Sequence, residues 1–264
     1  MPLISLSSDY GNKDPYRAIV LGVLADLAPQ LKVVELSHEI APGNLLEAAF
    51  IIGQAYPSFP KGSVHLILNQ ELDGKGVFLA MEMDGQFFIA ADNGLLSLLQ
   101  GAKKAKAIHR IEIGAGIDSL FPGRDFLAKA AVHLAQGGAL SILGKPMNSI
   151  NQVKAPQALV DRERKIISGK IIYIDHYGNL ITNIAKGQLQ ELQGKTFEIN
   201  LPRNRSLTKI ARSYQDSAQD GVLALINSLG LLEIAFRGAI GKEYNGANSL
   251  LGLNLMDEIS INYE

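Results

Sequence analysis

The hydrophobic periodicity of this 264-residue chain changes once along its length, and that change limits the folds open to it. Over the first ~140 residues, short apolar runs alternate with segments of helical spacing, the pattern of an α/β layer fold. Residues 3–7 read as a first strand. Asp14-Pro15 offers an N-cap and a first-turn proline, and Ile19, Val20, Val23, Leu24 and Leu27 follow at helical spacing until Pro29. A second strand is expected over 32–36, a helix capped by Asn44 to about Tyr56, and a buried strand over 64–68. Segments 77–83 and 86–90 flank Asp84-Gly85, a hairpin signal. Helices are predicted over 93–100 and 124–136, the second closed by Gly137-Gly138. Beyond a polar stretch broken by Pro146 and Pro156, short strand-like runs dominate from 170–174 to 258–262, with one short helix over 187–193. The expectation is an α/β domain with a Rossmann-like layered sheet over 1–145, a linker over 146–166, and a small all-β barrel over 167–264.

Composition narrows the function. The chain is 47% hydrophobic and 19% charged, so it can bury a core, and its net charge of −1 favours neither nucleic acid nor an anionic membrane. A small-molecule partner is expected. There are no cysteines, which removes disulfides, thiolate metal sites and a Cys nucleophile together. The N-terminus lacks a signal-peptide pattern, and no apolar run reaches the roughly 18 residues of a membrane helix. A soluble cytoplasmic protein is expected.

Polar motifs then suggest sites. Asp9 follows the first strand, where a carboxylate at a strand tip can accept from a ribose diol or merely turn the chain. Asp92-Asn93-Gly94 has the same two readings, Asp92 being a candidate cap for the next helix. Segment 175–183 places Asp175, Gly178, Asn179, Thr182 and Asn183 after an apolar strand. There Asp175 can accept from an ammonium and the Asn179 amide suits a purine edge, or the whole is a polar hairpin. The five histidines form no ligand spacing, although His176 lies inside this motif. No P-loop, dinucleotide fingerprint or serine-nucleophile elbow is present.

Together these residues resemble the S-adenosylmethionine (SAM) hydroxide adenosyltransferase family, also called SAM hydrolases, which is related to the SAM-dependent fluorinase and chlorinase. The series is Ser8-Asp9-Tyr10-Gly11 with Asp14-Pro15-Tyr16, then Val34 to Ile40, Glu47 to Phe50, Ala91 to Ser97, Gly123-Arg124-Asp125, Asp175 to Asn179, and Asn227 to Ala235. The resemblance implies an α/β domain and a β-barrel domain, and a homotrimer with SAM held between subunits. It implies displacement of methionine from the ribose 5′ carbon by water, giving adenosine and methionine, with no cofactor or metal. Carried onto matching positions, Asp9 holds the ribose hydroxyls, Asp175 and Ser228 the methionine amino and carboxylate groups, and Asn179 faces adenine. The Arg that follows the Ser in the halogenase branch is here Leu229.

The family's water-activating Asp-Arg-His set is replaced by Asn69, Gly76 and Pro122. None of the three can act as a base. Glu71, Asp73 and Lys75 lie in the same loop and offer a substitute carboxylate and cation, although the loop otherwise reads as an exposed turn. Three expectations follow: a SAM-cleaving enzyme with an altered nucleophile site, a non-catalytic SAM or adenosine binder, and a scaffold that binds neither.

Overall fold

β1 (Ile4–Ser8) carries five buried residues in a row, so both of its faces are covered and it belongs inside a sheet. The computed structural model, which describes residues 3–71, 76–112, 119–216, 221–238 and 246–264, places it there. β1 lies between β2 (Val33–Ser37) and β3 (Val64–Leu68), parallel to both. β4 (Phe78–Met83) and β5 (Gln86–Ala91) form the expected hairpin. Asp84 (φ 54°) and Gly85 (φ 73°) take the two left-handed positions of its tight turn. β5 is parallel to β3, and β6 (Ala107–Arg110) is antiparallel to β4, giving the order β2-β1-β3-β5-β4-β6.

Strand alternation sends Ile4, Leu6, Leu66 and Ile89 into a core shared with Val20 and Leu24 of α1 (Tyr16–Leu27). Ile67, Leu79, Met81 and Phe88 enter a second core with Ile52 of α2 (Leu45–Ala55) and Leu99 of α3 (Leu95–Gln100). α4 (Ala128–Ala135), entered through a π-helical turn at Gly123–Leu127, joins the first core. Asn44 caps α2 as expected: its Oδ1 accepts the Glu47 N–H at 3.1 Å, and Glu47 Oε2 accepts from the Ala41 N–H at 3.1 Å. Two other caps differ from expectation. Pro15 itself is the N-cap of α1, with no side-chain bond there. Asp92 does not cap α3; its Oδ1 accepts the Asn151 N–H at 2.9 Å, while Asn93 Oδ1 takes the Leu95 N–H at 3.1 Å.

The chain divides into two compact units, Met1–Ala155 and Pro156–Glu264. The division falls inside the stretch read as a linker, and β7 (Leu159–Asp161) occupies part of that stretch. The second unit continues with β8 (Ile166–Ile174), β9 (Leu180–Ala185), β10 (Phe197–Leu201), β11 (Arg205–Leu207), β12 (Ile210–Ala211), β13 (Gly221–Ile226), β14 (Leu231–Arg237) and β15 (Glu258–Tyr263). Its order is β11-β10-β15-β8-β9-β14-β13-β12, with β7 on β8. Ile199 of β10 and Ala224 of β13 share one core although four strands separate them, so this sheet curls nearly closed, like a barrel. A helix not foreseen, residues Ala247–Leu251, packs Ala247 and Leu251 into that core. The fold is therefore mixed α/β with two sheets.

One buried polar chain in the first unit has a measurable consequence. His65 is fully buried, with Nδ1 2.6 Å from Ser5 Oγ and Nε2 2.6 Å from Gln86 Oε1. A carbonyl oxygen can only accept, so Nε2 carries the proton and Nδ1 accepts from Ser5. Burial pushes the His65 pKa below its ordinary value. Below pH ~6.5 the unfolded chain binds a proton that the folded chain refuses, so stability falls as pH drops from there, by at most about 1.4 kcal/mol per pH unit for one group. His65→Gln is expected to be less stable than the wild type at neutral pH, yet to lose stability more slowly between pH 6.5 and 5. Thermal midpoints across that range measure it, and identical slopes would remove His65 from the account.

Candidate functional site

The first candidate site forms where β1 and β3 end side by side. Their parallel pairing brings both carboxyl ends to one edge, where ligands of open α/β sheets bind. Asp9 follows β1 directly; its N–H donates to the Leu68 carbonyl at 3.4 Å, and its Oδ2 accepts the Gln70 N–H at 3.0 Å. Gln70 is held at φ 47°, which turns the loop after β3 back toward Asp9. Asn93 secures the same loop by donating from Nδ2 to the carbonyls of Asn69 (3.0 Å) and Gln70 (3.4 Å).

This loop is not an exposed turn at Glu71. The Glu71 side chain is 8% exposed, and its Oε2 accepts from the Tyr10 hydroxyl. Its Oε1 is buried beside the Gly123 N–H without closing a full hydrogen bond. Burial raises the Glu71 carboxyl from its ordinary 4.5 to about 7. The Tyr10 and Gly123 donors pull the other way, and the negative charge of Asp9 adds to the rise. Burial, and then Glu71, push the Tyr10 phenol well above its ordinary range, so it remains a donor. A Cβ on Gly123 would stand 2.9 Å from Leu68 Cδ1 and 3.1 Å from both Glu71 Oε1 and the Tyr10 hydroxyl, so glycine here lets the π-helical turn before α4 approach this closely.

Asp9, Tyr10, Tyr16, Gln70, Glu71, Leu120, Phe121, Pro122 and Arg124 line a cavity of about 590 Å³. Phe121 meets Tyr10 and Tyr16 edge-on, each at 5.8 Å between ring centroids, and builds its aromatic wall. Leu120 is 88% exposed and Tyr16 49% exposed, so apolar surface stands open at the rim. Of the three replaced positions, Pro122 lines the cavity. Asn69 is buried, and no described group donates to its Oδ1. Gly76 is exposed at φ 70°, in open space. Asp73 and Lys75 lie outside the described residues.

The second candidate site belongs to the other unit. Asp175 ends the run of β8 and folds its loop around its own carboxylate. Oδ1 accepts the N–H groups of Tyr177 (2.9 Å) and Asn179 (2.8 Å), and Oδ2 accepts from Asn179 Nδ2 (3.0 Å). Gly178, at φ 76°, has no room for a Cβ, which would stand 2.5 Å from Asn248 Oδ1. Asp175 and Asn179 are thus set by each other. Ser228 is exposed in the β13–β14 turn, where Asn227 Oδ1 accepts from the N–H groups of Leu229 (3.0 Å) and Leu231 (3.1 Å). His176 is exposed.

Sequence reasoning gave no role to Glu233 and Tyr214. Glu233 is 2% exposed, accepting from the Tyr214 hydroxyl at 2.7 Å and from Asn227 Nδ2 at 3.1 Å. Burial pushes its carboxyl up, and the charge of Asp175 adds to the rise. The signal was a lone carboxylate inside the apolar run Leu231-Leu232-Glu233-Ile234.

A carboxylate at the tips of parallel strands, opening on a cavity with an aromatic wall, defines an α/β protein shaped for a small polar ligand. The chain belongs to the SAM hydroxide adenosyltransferase family: the N-terminal domain model of that family matches residues 4–144 and the C-terminal domain model matches 169–260. A (R)-S-adenosyl-L-methionine hydrolase of Salinispora arenicola is 30% identical over 90% of this chain and 91% of its own length. A fluorinase of Actinoplanes sp. is 26% identical over 90% of this chain and 92% of its own. The crystal structure of an uncharacterized conserved protein from Thermotoga maritima superposes with a TM-score of 0.87 at 25% identity, covering 98% of this chain and 100% of the other.

Proposed function

We propose that this protein cleaves SAM, with water displacing methionine from the ribose 5′ carbon to release adenosine and methionine. The observation that carries the reading is the Asp9 carboxylate at the β1 tip, on the wall of a cavity lined by Tyr10, Tyr16 and Phe121, in a chain of this family. A ribose diol presents two O–H donors, and Asp9 is the acceptor suited to them. Asp175 and Ser228 take the amino and carboxylate groups of the methionine moiety, and Asn179 takes the adenine edge. The sulfonium is already a good leaving group, so the protein supplies alignment and a desolvated approach for water. SAM is the substrate, and no cofactor or metal belongs to this reading. The first unit serves as a Rossmann-like layer and the second as a small all-β barrel. In the working form, a homotrimer in the cytoplasm, motifs from neighbouring subunits meet on one ligand. Among the described residues no helix is long and apolar enough to cross a membrane.

A second reading, a non-catalytic SAM or adenosine binder, is favoured by one observation: Asn69, Gly76 and Pro122 offer no proton acceptor. Chromatography of SAM incubated with the protein separates the two. Adenosine and methionine above a protein-free control support cleavage, whereas binding without either product supports the second reading.

A further inference from the structure

We propose that Glu71, oriented by the Tyr10 hydroxyl, is the group that takes the proton from the attacking water. This rests on the SAM-cleaving reading above and names the residue that fills the place left by Asn69, Gly76 and Pro122.

The cavity receives two carboxylates from neighbouring strand tips, in different settings. Asp9 accepts a backbone N–H from Gln70 through Oδ2. Glu71 is almost wholly buried, with Tyr10 donating to one oxygen and the other oxygen buried without a full partner. Glu71 lines the cavity beside Asp9, and a carboxylate on a cavity wall is a fitting acceptor for a water molecule held there. The groups around Glu71 are Tyr10 and Asp9 from the segment after β1 and Arg124 from the π-helical turn before α4. Arg124 is exposed and its Nε is bonded to Asp125 Oδ1 at 2.6 Å, so its charge is already matched. Among the described residues, the charged groups on the cavity wall are Asp9, Glu71 and Arg124. Pro122 and Phe121 line the same cavity and give it an apolar wall. With its carboxyl at about 7, Glu71 is poised between acid and base near neutral pH, where general catalysis is most efficient.

The step balances without a co-reactant. Water forms a bond to C5′ through its oxygen as the C5′–S bond breaks. The bonding pair leaves with sulfur, turning the sulfonium into the neutral thioether of methionine. One water proton passes to Glu71, and the other remains on the new 5′ hydroxyl of adenosine. Tyr10 stays protonated throughout and only orients the carboxylate.

The test compares wild type, Glu71→Gln and Tyr10→Phe in SAM turnover across pH, with SAM binding measured by calorimetry. In the wild type, kcat is expected to rise with pH to a plateau with a midpoint near 7. Glu71→Gln should lower kcat about a hundredfold or more, with SAM affinity within a few-fold of wild type. Tyr10→Phe removes a donor that favours the charged carboxylate, so its midpoint should move up in pH. A purely structural role for Glu71 or Tyr10 would not move that midpoint. A wild type that cleaves SAM beside a Glu71→Gln variant that cleaves it as fast overturns the proton-acceptor role and leaves the function standing. A wild type that neither binds nor cleaves SAM overturns both.

Discussion

Replacing Glu71 with Gln is expected to stabilise this protein at pH 8. The folded chain holds the Glu71 carboxyl at about 7, against an ordinary value of 4.5. That gap, at about 1.4 kcal/mol per pH unit, corresponds to roughly 3 kcal/mol. A raised carboxyl binds its proton more tightly folded than unfolded. The stability it contributes is complete below pH 4.5 and is lost as pH rises through about 7. Gln has the same shape, carries no charge, and can still accept from the Tyr10 hydroxyl. Its NH2 would face the Gly123 N–H, which takes back about 1 kcal/mol and leaves a gain of roughly 2. Urea unfolding at pH 8 and at pH 4.5 measures it: the variant should gain at pH 8 and lose the advantage at pH 4.5. A variant weaker than wild type at pH 8 would mean that the ionised carboxylate is stabilising where it lies. A gain in stability joined to a loss of turnover is the signature of a residue kept for chemistry.

Asp9→Ala is expected to abolish nucleoside binding. Two hydrogen bonds from a diol to a charged acceptor are worth about 1.5–3 kcal/mol each, so the loss is on the order of a hundredfold to ten-thousandfold in affinity. Adenosine is the informative probe, because it lacks the methionine end and isolates the ribose contact. Asp9→Asn keeps one acceptor and should lose less. Asp9→Ala also strands the Gln70 N–H, so circular dichroism must show that the variant is folded. Unchanged adenosine affinity in a folded Asp9→Ala protein would remove this cavity as the ligand site.

Much of this was legible in the chain, for local reasons. The strands at 4–8, 33–37 and 64–68 each carry two or more apolar residues within a short segment, and the Asp84-Gly85 turn and the Asn44 cap depend on side chains at most three positions apart. β6, with the sequence Ala-Ile-His-Arg, has too little alternation to be recognised and forms because β4 offers it an edge. β11 and β12 are only 3 and 2 residues long and carry no pattern of their own. Asp9 and the Asp175 loop could be named as candidates because they follow strands directly. The burial of Glu71 could not be read, because it lies in a mostly polar stretch, Asn69 to Lys75, and its partner Tyr10 lies 61 positions away. Asp92 misled for a similar reason: its hydrogen-bond partner, Asn151, is 59 positions distant.

The central claim is that water, activated in this cavity, attacks the ribose carbon of SAM. The most direct measurement is mass spectrometry of adenosine formed when the protein and SAM are incubated in water carrying the heavy oxygen isotope. The account predicts adenosine labelled at the 5′ oxygen and unlabelled methionine, with the yield collapsing in Glu71→Gln. Absence of adenosine while SAM stays intact, or adenosine without the label, would contradict it.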